Sequence, residues 1–211
     1  MEIGLERVSM EIGLDDAYSL KSPEDNKNLY AKWAATYESD FVTNQGYQHP
    51  KVIAELFDSH LPELKTVVDI GTGTGLVGKY LSKLRPGLII DGIDISPEML
   101  AEASKKKVYR NLFERDLTKS IKDVANPYDA LITIGTFTHG HLGPETLLNL
   151  FPLIKEDGYF VIAVNENFFH QQNFLEFLTS QQVRISLMEK VHVYDVSSAH
   201  RDSMNVVIIF Q

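Results

Sequence analysis

Val67-Val68-Asp69-Ile70-Gly71-Thr72-Gly73-Thr74-Gly75-Leu76-Val77-Gly78 decides how this chain folds. A short apolar run closes on a carboxylate, passes through alternating glycines, and opens onto Leu76, Val77, Tyr80, Leu81 and Leu84 at helical spacing. The order is strand, tight loop, helix. Glycine admits positive φ and lets a ligand approach the main chain, while the helix start offers unpaired amides and the positive end of its dipole. A nucleotide-like ligand is the expected occupant. Spacing alone does not choose the nucleotide, because Gly73-x-Gly75-x-x-Gly78 also satisfies the dinucleotide fingerprint.

Asp69 separates the two readings. A carboxylate ending the first strand repels a pyrophosphate lying over the turn and attracts a ligand carrying an amine and a sulfonium. Asp69-x-Gly71-x-Gly73-x-Gly75 resembles the first motif of class I S-adenosylmethionine-dependent methyltransferases. The resemblance implies that Asp69 holds the methionine amine of S-adenosylmethionine and that Gly71, Thr72, Gly73 and Gly75 form the backbone surface beneath it.

Further along, Leu88 to Ile93 reads as a second strand closed by Asp94, which follows the glycine loop by about the 20 residues expected of a ribose-binding acid. Asp94-Ile95-Ser96-Pro97-Glu98-Met99 is similar to the family's second motif: Ser96 caps a helix, Pro97 starts it, and Met99 packs on adenine. Asp91, in mid-strand, reads as structural. A third strand is expected over Val108 to Phe113, with Asp116 and Leu117 after it. In the family an acid at the Asp116 position meets the adenine amino group and the next backbone amide meets a ring nitrogen; a turn-capping role for Asp116 is the alternative.

The fourth strand, Tyr128 to Ile134, runs into the polar loop Gly135-Thr136-Phe137-Thr138-His139-Gly140-His141. The family's strand order places Gly135 and this loop beside the methyl group. His139 and His141 are candidates for acceptor binding, and His139 for catalysis, because a free imidazole titrates near neutrality; ordinary solvated histidines are the alternative. The loop lacks the Asn-Pro-Pro-Tyr type motif of nucleic-acid amine methylases. Pro144 to Leu150 reads as a helix, Lys155 to Gly158 as a turn, Tyr159 to Val164 as a fifth strand and Phe168 to Thr179 as a helix. Asn165, at the fifth strand's end, is a candidate acceptor contact. Val183 to Val196 and Met204 to Phe210 suit the sixth and seventh strands.

Before the glycine loop, Ser22-Pro23 reads as the start of a helix carrying Leu29, Trp33 and Tyr37 on one face, and a second helix begins near His49-Pro50 with Val52, Ile53, Leu56 and Phe57 inward. Tyr30 to Asp40, with Gly46-Tyr47 and Pro50, resembles the methyltransferase-like proteins of the Williams–Beuren region group. In that setting Trp33, Tyr37 and Tyr47 shape an acceptor pocket; plain core packing is the alternative. Residues 1–21, with the near-repeat Met1-Glu2-Ile3-Gly4-Leu5 and Met10-Glu11-Ile12-Gly13-Leu14, read as a mobile arm.

Composition narrows the partners. A formal net charge of -9 and no basic face argue against nucleic acid; Lys105-Lys106-Lys107 reads as a solvated helix end. Without cysteine there is no disulfide or thiolate site, and no metal site is expected. No run spans a bilayer and no signal peptide opens the chain, so a cytoplasmic protein is expected. The expected architecture over residues 22–211 is one α/β domain, a Rossmann-like, doubly wound, mostly parallel seven-stranded sheet with its last strand antiparallel. Helices within 22–61 act as a lid over the cofactor cleft. The expected function is methyl transfer to a small-molecule acceptor by a monomer or homodimer. A catalytically silent cofactor-binding partner protein and a nicotinamide-dependent oxidoreductase are the alternatives.

Overall fold

The computed structural model describes residues 23–121, 127–138 and 142–211. The arm over 1–21, Ser22, His139 and His141 lie outside the described residues. The sheet has the order β3-β2-β1-β4-β5-β7-β6. Its strands are β1 (Thr66–Ile70), β2 (Ile89–Asp94), β3 (Asn111–Glu114), β4 (Tyr128–Phe137), β5 (Ile154–Asn165), β6 (Ile185–His192) and β7 (Met204–Phe210). β1 through β5 pair in parallel, and β7 enters antiparallel between β5 and β6. This is the doubly wound sheet expected from the sequence.

Because side chains alternate across a sheet, neighbouring residues feed opposite layers. Val68, Leu131, Ile162 and Ile208 belong to one apolar cluster, while Val67, Ile132, Val161 and Ile209 belong to the other. Continuous apolar runs are what a sheet covered on both faces requires. On the second face, Ile53 and Phe57 of α2 (His49–His60) meet Val77 and Leu81 of α3 (Leu76–Leu84).

Several boundaries differ from the sequence reading. α1 (Pro23–Trp33) stops at Trp33, so Tyr37 lies beyond the helix expected to carry it. The chain then forms a π-helical turn over Glu38–Thr43. Trp33 and Tyr37 still meet, edge to face, with ring centroids 5.0 Å apart. β3 starts at Asn111 rather than Val108, because Lys107 takes a left-handed φ of 57 and the chain straightens only afterwards. β5 begins at Ile154, and the expected Lys155–Gly158 turn persists as an irregularity where the pairing shifts between Tyr128 and Ala130. The helix expected over 168–179 is broken into Glu166–Gln171 and Phe174–Ser180 by left-handed Asn173, φ 50.

Asp91 has the structural role expected. Its buried carboxylate accepts from the Tyr128 hydroxyl at 2.8 Å, from Arg110 and from the Asn111 amide, tying β2, β3 and β4 together.

Candidate functional site

β1 is flanked by β2 on one side and β4 on the other, so the chain reverses its direction of winding between β1 and β4. Ligands of open α/β sheets collect beyond the strand ends at such a point. There the glycine loop is pinned to β2: the Gly71 and Thr72 amides both donate to the Ile93 carbonyl, at 2.9 and 3.1 Å, and the Thr72 hydroxyl donates to the Asp69 carbonyl at 2.8 Å. Gly71 holds φ 69, and a Cβ there would overlap the Thr136 hydroxyl. Only glycine satisfies both demands.

Asp94 secures the opposite wall. Its Oδ2 accepts from the Gly73 amide at 2.7 Å and its Oδ1 from the Ser96 amide at 2.9 Å. Burial pushes its carboxyl above the ordinary range, against the pull of the Ser96, Gly73 and Ile95 amides. Ser96 caps α4 (Pro97–Ser104), accepting from the Met99 amide at 3.2 Å, and this turns the buried Met99 toward the cleft. Asp116 is held by the Thr118 amide and hydroxyl, at 3.0 and 2.6 Å; these bonds and Lys119 outweigh the effect of burial and keep its pKa below the ordinary value.

Together these groups bound a cavity of about 1120 Å³, its open mouth included. Gly71, Thr72 and Gly73 of the loop line it, with Asp94, Ile95, Met99, Asp116 and Leu117 from the β2 and β3 side of β1 and Gly135 from β4 on the other. Tyr30, Tyr37, Tyr47 and Pro50 close it from the N-terminal segment. Thr118, Thr136 and Leu142 also line it and were not singled out in the sequence, which offers no periodicity or motif to mark them.

Two expected residues stand elsewhere. Gly75 caps α3 with φ 87 and packs on Ala103. Asp69 is buried and absent from the cavity lining. Its carboxylate accepts from the Tyr109 hydroxyl at 2.7 Å. Burial pushes its pKa up to about 7, moderated by that bond and reinforced by Asp94. In this structure the partner of the Asp69 carboxylate is therefore Tyr109, from the segment just before β3.

Tyr30, Tyr37, Tyr47 and Gly135 also line a neighbouring chamber of about 650 Å³, again counting its mouth. Trp33, Phe41 and Tyr194 supply further aromatic wall, and His49, Thr138, Asn165 and Asn205 supply polar groups. The Asn165 side chain accepts from the Phe168 amide at 3.1 Å and so also caps a helix. Among the described residues, no group of three His, Cys, Asp or Glu side chains is placed to hold a metal ion, and no helix is long and apolar enough to cross a membrane.

Residues 68–160 match the family described as Methyltransferase domain. This methyltransferase-domain match runs from β1 into β5 and so contains the glycine loop, Asp94 and Asp116. The 18S rRNA (guanine-N(7))-methyltransferase of Bos taurus is 43% identical over 68 residues, 32% of this chain and 24% of that protein. The malonyl-[acyl-carrier protein] O-methyltransferase of Bacillus anthracis is 29% identical over 118 residues, 55% of this chain and 42% of that protein. The chain thus matches less than half the length of either curated relative. Among solved structures, the Burkholderia thailandensis 1,6-didemethyltoxoflavin-N1-methyltransferase, with its namesake ligand and S-adenosylhomocysteine bound, aligns at a TM-score of 0.66 and 17% identity over 90% of each chain. The likeness in fold accordingly extends beyond the matched residues to most of the chain.

Proposed function

We propose that this chain binds S-adenosylmethionine in the cleft above the glycine loop and transfers its methyl group to a small-molecule acceptor in the adjoining aromatic chamber. The observation that carries the reading is the convergence of Gly73, Asp94, Met99 and Asp116 on one cavity that shares Tyr30, Tyr37, Tyr47 and Gly135 with a second. The residues fit the cofactor. Each Asp94 oxygen already accepts one amide and keeps lone-pair capacity for a ribose hydroxyl. Met99 offers a polarizable face to an adenine, and Asp116 is held ionised as an acceptor. S-adenosylmethionine supplies an electrophilic methyl on a sulfonium. The chain's part is to align the acceptor and exclude water, which is where most of the acceleration in such a displacement arises.

Three further readings belong with this one. Residues 23–61 act as a lid, since Tyr30, Tyr37, Tyr47 and Pro50 form one wall of the cleft. Asp69 acts on the loop from below through Tyr109 rather than on the ligand. The Tyr30–Asp40 stretch supports a place beside the Williams–Beuren region group. Calorimetry with S-adenosylmethionine, S-adenosylhomocysteine and NAD tests the core of the proposal. Binding of the first two and not the third is expected; binding of NAD alone would overturn it.

A further inference from the structure

We propose that the acceptor is an uncharged, planar aromatic molecule carrying an O–H or N–H, seated in the chamber bounded by Trp33, His49 and Thr138. This rests on the methyl-transfer reading above and names its substrate class.

Three of the side chains lining the chamber carry a buried polar atom with no hydrogen-bond partner: Trp33 Nε1, His49 Nε2 and Thr138 Oγ1. They come from α1, the first residue of α2 and the segment after β4. All three residues are more than nine-tenths buried. A buried polar group left unpaired is costly, and such groups cluster where a ligand completes them. Trp33 Nε1 is a donor only, so an occupant that reaches it must offer an acceptor atom. Thr138 and His49 can each give or take a hydrogen bond. Burial lowers the His49 pKa to about 3, so its imidazole is neutral.

The walls choose the rest of the molecule. Trp33, Tyr37, Phe41, Tyr47 and Tyr194 form a chain of ring contacts with centroids 5.0 to 6.1 Å apart. A flat ring system fits such walls through offset or edge contacts. No Asp, Glu, Lys or Arg is among the lining residues described. A carboxylate would be buried without a cation, and burying an unpaired charge is strongly unfavourable. A protonated amine would add positive charge next to the sulfonium and has no lone pair to attack with. In the step itself, the acceptor's oxygen or nitrogen lone pair forms the bond to the methyl carbon as the C–S bond breaks and its electrons stay on sulfur. The acceptor's proton passes to solvent water, since neutral His49 does not retain it.

The test uses protein saturated with S-adenosylhomocysteine, titrated calorimetrically with naphthol, hydroxyquinoline and indole, and in parallel with malonate, trans-aconitate and tyramine. The neutral aromatic probes are expected to bind at least about tenfold more tightly than the charged ones, a lower bound on the cost of burying an unpaired charge. W33F, which keeps a ring and removes the N–H, and T138V are each expected to weaken that binding about tenfold while S-adenosylhomocysteine affinity is unchanged. Should W33F not fold, T138V carries the comparison. Intact S-adenosylhomocysteine binding with no neutral probe bound, with charged probes preferred, or with neither variant weakening the neutral probes overturns this proposal and leaves methyl transfer standing. Failure to bind S-adenosylhomocysteine overturns the parent reading instead.

Discussion

The Tyr109 hydroxyl donates to Asp69 Oδ2 at 2.7 Å while accepting the Gly78 amide at 3.2 Å. One phenol therefore ties the end of β1 to the first turn of α3 from beneath the glycine loop. It also explains the last glycine of the fingerprint, because a Cβ on Gly78 would overlap the Tyr109 ring. Sealed in with Asp69, the phenol has its own pKa raised well above the ordinary value, by burial first and then by the carboxylate. It stays a donor.

Tyr109→Phe removes that donor and leaves a buried carboxyl without its partner. The expected loss is about 1–3 kcal/mol of stability, the usual effect of orphaning a buried hydrogen-bonding group. Thermal or urea unfolding reads it directly. S-adenosylhomocysteine affinity should fall with it, since the loop loses its support. An unfolding midpoint equal to that of the native chain would show that the Asp69–Tyr109 contact does not hold the loop.

Asp69 and His49 should leave opposite marks on the pH dependence of stability. The Asp69 pKa is raised from 3.8 to about 7, so the folded chain keeps a proton that the unfolded chain releases, and its contribution falls as pH climbs through that interval. The His49 pKa is lowered from 6.5 to about 3, so the unfolded chain binds the extra proton, and its contribution rises with pH over that interval. Where the intervals overlap the two cancel, each slope being at most about 1.4 kcal/mol per pH unit. Asp69→Asn should therefore make stability climb more steeply between about pH 4 and pH 6.5, and His49→Gln should make it fall. Urea midpoints across that range decide the matter; parallel curves for both variants would contradict it.

How far the sequence reached follows from which interactions are local. The strand-loop-helix unit, the Ser96 cap and the alternation of β strands are written in residues a few positions apart, and each stands where its pattern places it. Asp94 and Asp116 were visible because strand ends carry them to one edge of the sheet. The partner of Asp69 was not legible, because Tyr109 lies 40 residues away and meets it only after β3 has been laid beside β2. Lys106 was misjudged for the same reason. Its neighbours in sequence suggest a solvated helix end, and Lys105 fits that by pairing with Glu102, yet Lys106 turns inward toward Glu38, a residue 68 positions away. The chamber behind Tyr37 and Tyr47 was anticipated as aromatic, but its polar members His49 and Thr138 carry no local signal.

Asp94→Ala should weaken S-adenosylhomocysteine binding by about 1.5–3 kcal/mol, the value of a hydrogen bond to a charged group. The structure adds a second expectation. Because Asp94 also accepts from the Gly73 and Ser96 amides, the alanine variant should lose some thermal stability even without ligand. Asp94→Asn, which keeps an acceptor oxygen, should recover part of each. Calorimetry and unfolding on the same samples separate ligand contact from loop support, and unchanged affinity in the alanine variant would remove Asp94 from the cofactor site.

Lys106 is where the N-terminal segment meets the glycine loop. Its ammonium donates to Glu38 Oε1 at 2.6 Å and to the Thr74 carbonyl at 2.5 Å, and its side chain is only 15% exposed. Glu38 opens the π-helical turn between Tyr37 and Tyr47, so this cation ties to the glycine loop a segment whose rings line the cavity. The bond from Lys106 holds the Glu38 pKa below the ordinary value in spite of burial. Lys106→Met keeps the stem and removes the charge. If the lid governs ligand exit, S-adenosylhomocysteine should dissociate about 5- to 30-fold faster, corresponding to about 1–2 kcal/mol for a partly buried charged hydrogen bond. Association should change little, because access through an open lid needs no lysine. The pair Lys27–Glu114, 2.8 Å apart and exposed, also links the N-terminal segment to the sheet, but solvent screens it, and Lys27→Met should leave dissociation as it was. Stopped-flow displacement on the two variants distinguishes a latch from a generic surface contact: equal rates for both would mean that Lys106 braces the fold and does not gate the cleft.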